Sequence, residues 1–148
     1  LTKVGTGVVV LSAANTYTGN TTVSEGTLNL ASTGELRFKI QNANASNQLL
    51  GGSTVNLDGL FRLDVSALTD TTGTWNLVNV GTLTETFGGT FNLAFVGGPT
   101  FTDQGGGVFT SGNWTFTTSD GNLTLIPEPA TMALLALGGV GVLIRRRR

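Results

Sequence analysis

The sequence predicts an all-β domain followed by one short apolar helix. Three observations carry this. There are 22 Gly among 148 residues, about twice the usual share of about 7%, and Thr and Asn are abundant while charges are few. That is the composition of strands and turns. Apolar and polar residues alternate over stretches such as Val55 to Val65, the period of a half-buried strand. No segment before Ala130 has a convincing helical period, and Ser66 to Asp70 is at most one turn.

Taken in order, Val8 to Leu11 is a β-branched run bounded by Gly5 and Gly7, which reads as a strand. Asn15 to Thr22 is turn-rich. In Thr27-Leu28-Asn29-Leu30 the two leucines point one way and Thr27 and Asn29 the other. Leu36, Phe38 and Ile40 alternate with Arg37 and Lys39, a strand with a basic outer face. Gln41 to Gly52 is polar and reads as a loop. Val55, Leu57, Gly59, Phe61, Leu63 and Val65 share one face of a long strand, and Asn56, Asp58, Arg62 and Asp64 share the other. Asp58-Gly59 is alternatively a hairpin turn that splits the run in two. Further strands are expected at Trp75 and Leu77, at Phe91 to Phe95 ending in Gly97-Gly98-Pro99, at Trp114 and Phe116, and at Leu123 and Leu125, with Gly105 to Gly107 a loop. Strands at this spacing fit a solenoid or a sandwich.

The last residues follow different rules. Pro127-Glu128-Pro129 stops any strand ladder. Ala130 to Ile144 carries no charge and one hydroxyl, Thr131, and Arg145, Arg146, Arg147 and Arg148 close the sequence. As a helix the apolar run spans roughly 22 Å, against about 30 Å for a hydrocarbon core. Local thinning and snorkelling of Arg side chains cover the difference. By the positive-inside rule the arginines stay cytoplasmic and the domain before Pro127 lies outside. A buried core helix and a permanent tail anchor are the competing readings; the first leaves four terminal arginines without a purpose.

Composition also excludes functions. With no Cys and no His, there is no disulfide framework, no Ser-His or Cys-His nucleophile pair, and no imidazole ligand for a metal. Before Pro127 the basic residues are Lys3, Arg37, Lys39 and Arg62, against eight acidic residues. An acidic body argues against nucleic acid. Asp58 and Asp64 share a face, but on a straight strand they lie roughly 20 Å apart, whereas glycosidic carboxylates sit about 5 to 9.5 Å apart. No calcium loop and no phosphate loop is present. Tyr17, Trp75 and Trp114 could stack on sugars, although aromatics at strand spacing are more often core. No cofactor and no metal are expected.

Two stretches resemble known families. Lys3-Val4-Gly5-Thr6-Gly7, Leu11-Ser12, Ala14-Asn15-Thr16-Tyr17-Thr18-Gly19, Thr21-Thr22-Val23 and Gly26-Thr27-Leu28 resemble the autotransporter-associated β-strand repeat, also called the passenger-associated transport repeat. The resemblance implies coils of a right-handed parallel β-helix in an exported passenger protein. Only one clear copy is present, and a solenoid needs about three coils. Earlier coils are therefore expected upstream, or residues 31–126 supply them in diverged form. Pro127-Glu128-Pro129, the apolar segment with Gly138, Gly139 and Gly141, and the terminal arginines resemble the PEP-CTERM sorting domain. This implies a bacterial envelope protein handled by an exosortase, a membrane-embedded cysteine enzyme, with release or attachment at the cell surface and a frequent link to exopolysaccharide.

The resulting expectation has three parts. Residues 1–30 form the repeat. Residues 31–126 form a β-rich solenoid and cap, with the strands after Gly73 and both tryptophans as the cap. Residues 127–148 form the sorting tail, with a membrane helix at 130–144. A short β-solenoid passes into a partly antiparallel region. Pro127, Glu128 and Pro129 are the sorting signal, and Arg145 to Arg148 set membrane orientation. The expected role is a non-enzymatic surface or matrix scaffold, first inserted in the inner membrane, then at the cell surface or extracellular. The alternatives are an exopolysaccharide-binding module and the C-terminal fragment of a β-helix polysaccharide-degrading enzyme. The start at Leu1-Thr2-Lys3 falls mid-pattern, as in the C-terminal part of a longer precursor.

Overall fold

A computed structural model describes residues 1–127. The apolar segment 130–144, Glu128, Pro129 and Arg145 to Arg148 lie outside the described residues. Among the described residues the secondary structure is strand and turn, and no helix is long and apolar enough to cross a membrane.

The chain winds through three parallel sheets in rotation. The first circuit is β1 (Thr2–Lys3), β2 (Val8–Leu11) and β3 (Ala14–Asn15). The second is β4 (Thr21–Val23), β5 (Thr27–Leu30) and β6 (Glu35–Lys39). The third is β7 (Leu49–Gly51), β8 (Thr54–Leu57) and β9 (Leu60–Asp64). After β10 (Gly73–Asn76) the chain returns for a fourth pass, with Val78 bridging Leu49, then β11 (Thr84–Phe87) and β12 (Asn92–Phe95). The first three circuits each add one strand to sheet A (β1-β4-β7), sheet B (β2-β5-β8-β11) and sheet C (β3-β6-β9-β12), and the fourth adds strands to B and C and a single bridge to A. Pairing is parallel throughout, with Val8 beside Thr27, Thr27 beside Thr54 and Thr54 beside Thr84. Residues 31–95 therefore carry the further circuits that the single recognisable repeat needs.

Parallel stacking explains the alternation at Val55 to Val65 in a way that neither a single strand nor a hairpin does. The chain bends at Asp58-Gly59, so β8 belongs to sheet B and β9 to sheet C. Both line the same interior, so Val55, Leu57, Phe61 and Leu63 are all fully buried on either side of the bend. Gly59 is required there by close approach. A Cβ would meet the carbonyl oxygen of Ala31 at 2.5 Å and that of Gly34, both in the preceding circuit. Backbone hydrogen bonds link the circuits at the same corner, from Asp58 N to Leu30 O at 2.9 Å and from Leu60 N to Gly34 O at 2.9 Å.

Several strands depart from the sequence reading, β7 and β11 among them. Gln41 to Gly52 contains β7, whose Leu49 is fully buried. β11 is a strand although its sequence Thr-Glu-Thr-Phe has only one apolar residue. Parallel hydrogen bonding to β8 supplies what side-chain pattern does not.

The antiparallel sheet has the order β10-β16-β15-β14-β13, with β13 (Thr102–Asp103), β14 (Val108–Ser111), β15 (Trp114–Thr117) and β16 (Asn122–Leu125). It packs against the fourth circuit through aromatic rings. Phe91 meets Phe109 at 5.4 Å and Phe116 at 5.9 Å between centroids, and Phe95 meets Trp114 at 5.6 Å. Phe61 joins the layers, 4.6 Å from Phe38, 4.9 Å from Phe91 and 6.2 Å from Phe116. Burying a side chain of this size contributes on the order of 2 to 3 kcal/mol. The ladder ends at Leu125, and Pro127 is exposed beyond it.

Candidate functional site

Of the basic side chains before Pro127, three stand on adjacent strands of sheet C. Arg37 and Lys39 lie on β6 and Arg62 on β9, and their side chains point outward because Leu36, Phe38, Phe61 and Leu63 point in. Register sets Arg37 directly beside Arg62. Like charges in that position repel, and each is offset by a diagonal carboxylate. Arg37 Nη2 donates to Asp64 Oδ2 at 2.7 Å. Arg62 donates from Nε at 3.1 Å and from Nη2 at 2.9 Å, both to Glu35 Oε1. The expected basic face is therefore a checkerboard of ion pairs, with the Arg37 and Arg62 side chains 31% and 34% exposed.

Asp64 is held below the usual carboxylate range. Hydrogen bonds from the Ser66 side chain and backbone contribute most, burial opposes them, and Arg37 adds to the depression. Arg37 Nε is covered and has no acceptor within reach. Above these residues runs a groove of about 370 Å³ lined by Ala14, Asn15, Thr16, Glu35, the two arginines, Val96 and Gly97. It touches strands or strand ends of all four circuits.

A second groove of about 360 Å³ crosses sheet B, where Asn29, Asn56, Asp58 and Thr86 line it. Asn56 Nδ2 donates to Asn29 Oδ1 at 2.7 Å, forming a short amide ladder. Asp58 thus belongs to the surface of sheet B, and Asp64 to that of sheet C. The chain does turn at Asp58-Gly59, yet from Leu60 to Asp64 β9 runs four residue steps beyond the turn, or roughly 13 Å. The turn does not bring them to hydrolytic distance. Among the described residues no group of three or more acidic side chains could hold a metal.

The aromatic candidates for sugar stacking are placed differently from a binding platform. Trp75 is fully buried and its indole N–H donates to Gln41 O at 2.7 Å. Its ring lies 5.5 Å from that of Trp114, so the two tryptophans face each other at the seam of the antiparallel sheet. Tyr17 is half-buried, with its hydroxyl 2.9 Å from Thr21 Oγ1. Burial pushes the Tyr17 phenol up, against a smaller lowering by the Thr21 hydrogen bond.

Lys3 has a structural role that pattern reading missed. It is 6% exposed. Its ammonium donates to Val4 O at 2.9 Å, to Glu25 O at 3.1 Å and to Gly5 O, which uses all three N–H donors. Glu25 is in the second circuit, so the lysine ties the first circuit to it. The signal was present in the sequence as a lone lysine followed by glycine-rich turns.

No curated protein and no solved structure matches the chain. Two family patterns do. Residues 1–30 match the family described as Passenger-associated-transport-repeat, which spans the first circuit and the second as far as β5. Residues 125–148 match the PEP-CTERM protein-sorting motif, which begins at the last residue of β16 and indicates an exported protein sorted by an exosortase.

Proposed function

We propose that this chain is a non-enzymatic scaffold of the bacterial surface or extracellular matrix, delivered there through its C-terminal tail. The observation that carries the reading is the sorting-motif match, which starts where the last strand ends. Residues 1–95 are read as coils of a right-handed parallel β-solenoid, with the antiparallel sheet as its cap. Segment 130–144 inserts in the inner membrane in the precursor, and Arg145 to Arg148 hold it with the folded part outside. The two prolines keep the approach extended, since a residue before proline is biased away from the helical region, and Glu128 marks it for the exosortase. A sequence without His or Cys, and a domain whose polar surface is engaged in ion pairs and amide ladders, support a scaffold over a catalyst.

The test is the mass and membrane fraction of the exported protein in cells with and without the exosortase. Loss of residues at the C-terminus only when the enzyme is present supports sorting, and Glu128→Ala then impairs processing while leaving insertion intact. A mature protein that keeps 127–148 in both strains makes the tail an anchor and rejects the reading. A glycan-binding role has one observation in its favour, the cation-lined groove on sheet C.

A further inference from the structure

We propose that the groove on the outer face of sheet C binds a carboxylate-bearing saccharide, with Arg37 and Arg62 as the groups that grip its acid. The inference deepens the glycan-binding reading and does not depend on how the tail is processed.

Charge placement is the first argument. Outside this face the described residues carry Glu25, Asp58, Asp70, Asp103 and Asp120 and, apart from Lys3, no basic side chain. On sheet C, Arg37, Lys39 and Arg62 outnumber Glu35 and Asp64. The groove itself is lined by Arg37 and Arg62 against Glu35 alone, and a net positive cleft in an acidic body concentrates an anionic ligand.

Donor geometry is the second. A guanidinium has five N–H donors. Arg37 commits one of them to Asp64, and Arg62 commits two to a single oxygen of Glu35. The carboxylates therefore fix the two forks side by side; Arg37 Nε is covered, and the Nη donors not given to Asp64 or Glu35 remain for a ligand. Such forks suit planar bidentate recognition of a carboxylate. An anion seated between them also relieves the repulsion of two arginines held in register.

Shape is the third argument, and it selects among carboxylates. The groove runs from Ala14 and Asn15 in the first circuit to Val96 and Gly97 after the fourth. Strand spacing makes that roughly 14 Å, the reach of a short oligosaccharide rather than of one small acid. Ala14 and the exposed Val96 give apolar walls for sugar C–H faces, and Thr16 gives a hydroxyl. β6 and β9 are paired on both edges, so an extended acidic peptide cannot add as a strand across them. Peptide recognition by strand addition requires such an edge.

The experiment is isothermal titration of the full chain with a trimer of galacturonate, beside maltotriose as the neutral control, galacturonate as the monomer and a tri-glutamate peptide. The trimer is expected to bind, and maltotriose is not. Arg62→Gln and Arg37→Gln are each expected to weaken binding about tenfold. Glu35→Gln, which removes a competing carboxylate, is expected to tighten it by about threefold, and raising salt from about 0.05 to about 0.3 M to weaken it. Equal binding of the neutral trimer, or binding unchanged in a natively folded Arg62→Gln chain, overturns the proposal. So does a monomer or peptide that binds as well as the trimer. If the arginine variants fail to fold, Glu35→Gln decides alone, because a purely structural ion pair predicts no gain in affinity from it.

Discussion

The first and fourth circuits are fastened to the stack by opposite means. At the first circuit the inward Val9 and Leu11 are only partly buried, and Lys3 fastens the chain to the second circuit through a main-chain carbonyl. At the fourth circuit Phe87, Phe91 and Phe95 lie under an antiparallel sheet that brings Phe109, Phe116 and Trp114 against them. One circuit is held by a polar clamp and the other by an apolar cover. The difference teaches that a circuit can be secured locally or cooperatively, and the two should fail differently.

The largest effect belongs to the covered circuit. Phe91→Ala removes a ring in contact with Phe61, Phe87, Phe109 and Phe116, and is expected to cost about 3 to 5 kcal/mol. Because Phe61 carries the contact into the third circuit, urea denaturation should show one global transition moved to lower urea. Two separate transitions would mean the cover is not coupled to the stack.

At the first circuit, Lys3→Met keeps the stem but removes the ammonium, leaving three carbonyls without their donor. A loss of about 2 to 3 kcal/mol is expected. Hydrogen exchange should place that loss in residues 2–30, with β8, β9 and β12 protected as before. Uniform loss across all circuits would erase the distinction between the first and the fourth.

A gain is expected at one inward position. Val9, Leu28, Val55 and Glu85 form one register column through sheet B, so a carboxylate occupies the fourth circuit's place in a column of aliphatics. Its Oε2 is covered and unpartnered. Glu85→Leu should therefore stabilise the fold by about 1 to 2 kcal/mol, read as a higher Tm. A lower Tm would show that Glu85 has a partner that matters.

The smallest effect concerns pH and the ion pairs that lie between these two circuits. The folded-state pKa of Asp64 is depressed, so the unfolded chain takes up its proton first as pH falls. The stabilisation is present above the ordinary carboxylate pKa of about 3.9 and disappears as pH drops through the lower folded value. Thermal scans across that window should show Tm falling more steeply for the native chain than for Asp64→Asn. Equal slopes would reject the assignment.

Some of this was legible in the sequence because it depends on one residue and its near neighbours. Alternation placed Leu28, Leu30, Leu36, Phe38, Phe61 and Leu63 inside, and the burial agrees. Loss of strand after Leu125 followed from Pro127, because proline cannot donate to a ladder. The first circuit was recognisable from its motif residues. What the tertiary structure alone decided is which strand lies beside which. Equivalent positions Val8, Thr27, Thr54 and Thr84 are separated by unequal steps of 19, 27 and 30 residues. Loops of different length therefore hide the repeat, and β10 leaves for another sheet partway through. The polar segment 41–47 looks like an isolated loop, yet Asn42 Oδ1 accepts from Thr69 N at 2.8 Å and from Asp70 N at 3.1 Å in the next circuit's loop. The sheet C groove was invisible for the same reason. Arg37 and Arg62 become neighbours only when two circuits stack in register. Side-chain direction is a local property of a strand with a period of two, whereas adjacency between circuits depends on loop lengths and backbone pairing that no local pattern encodes.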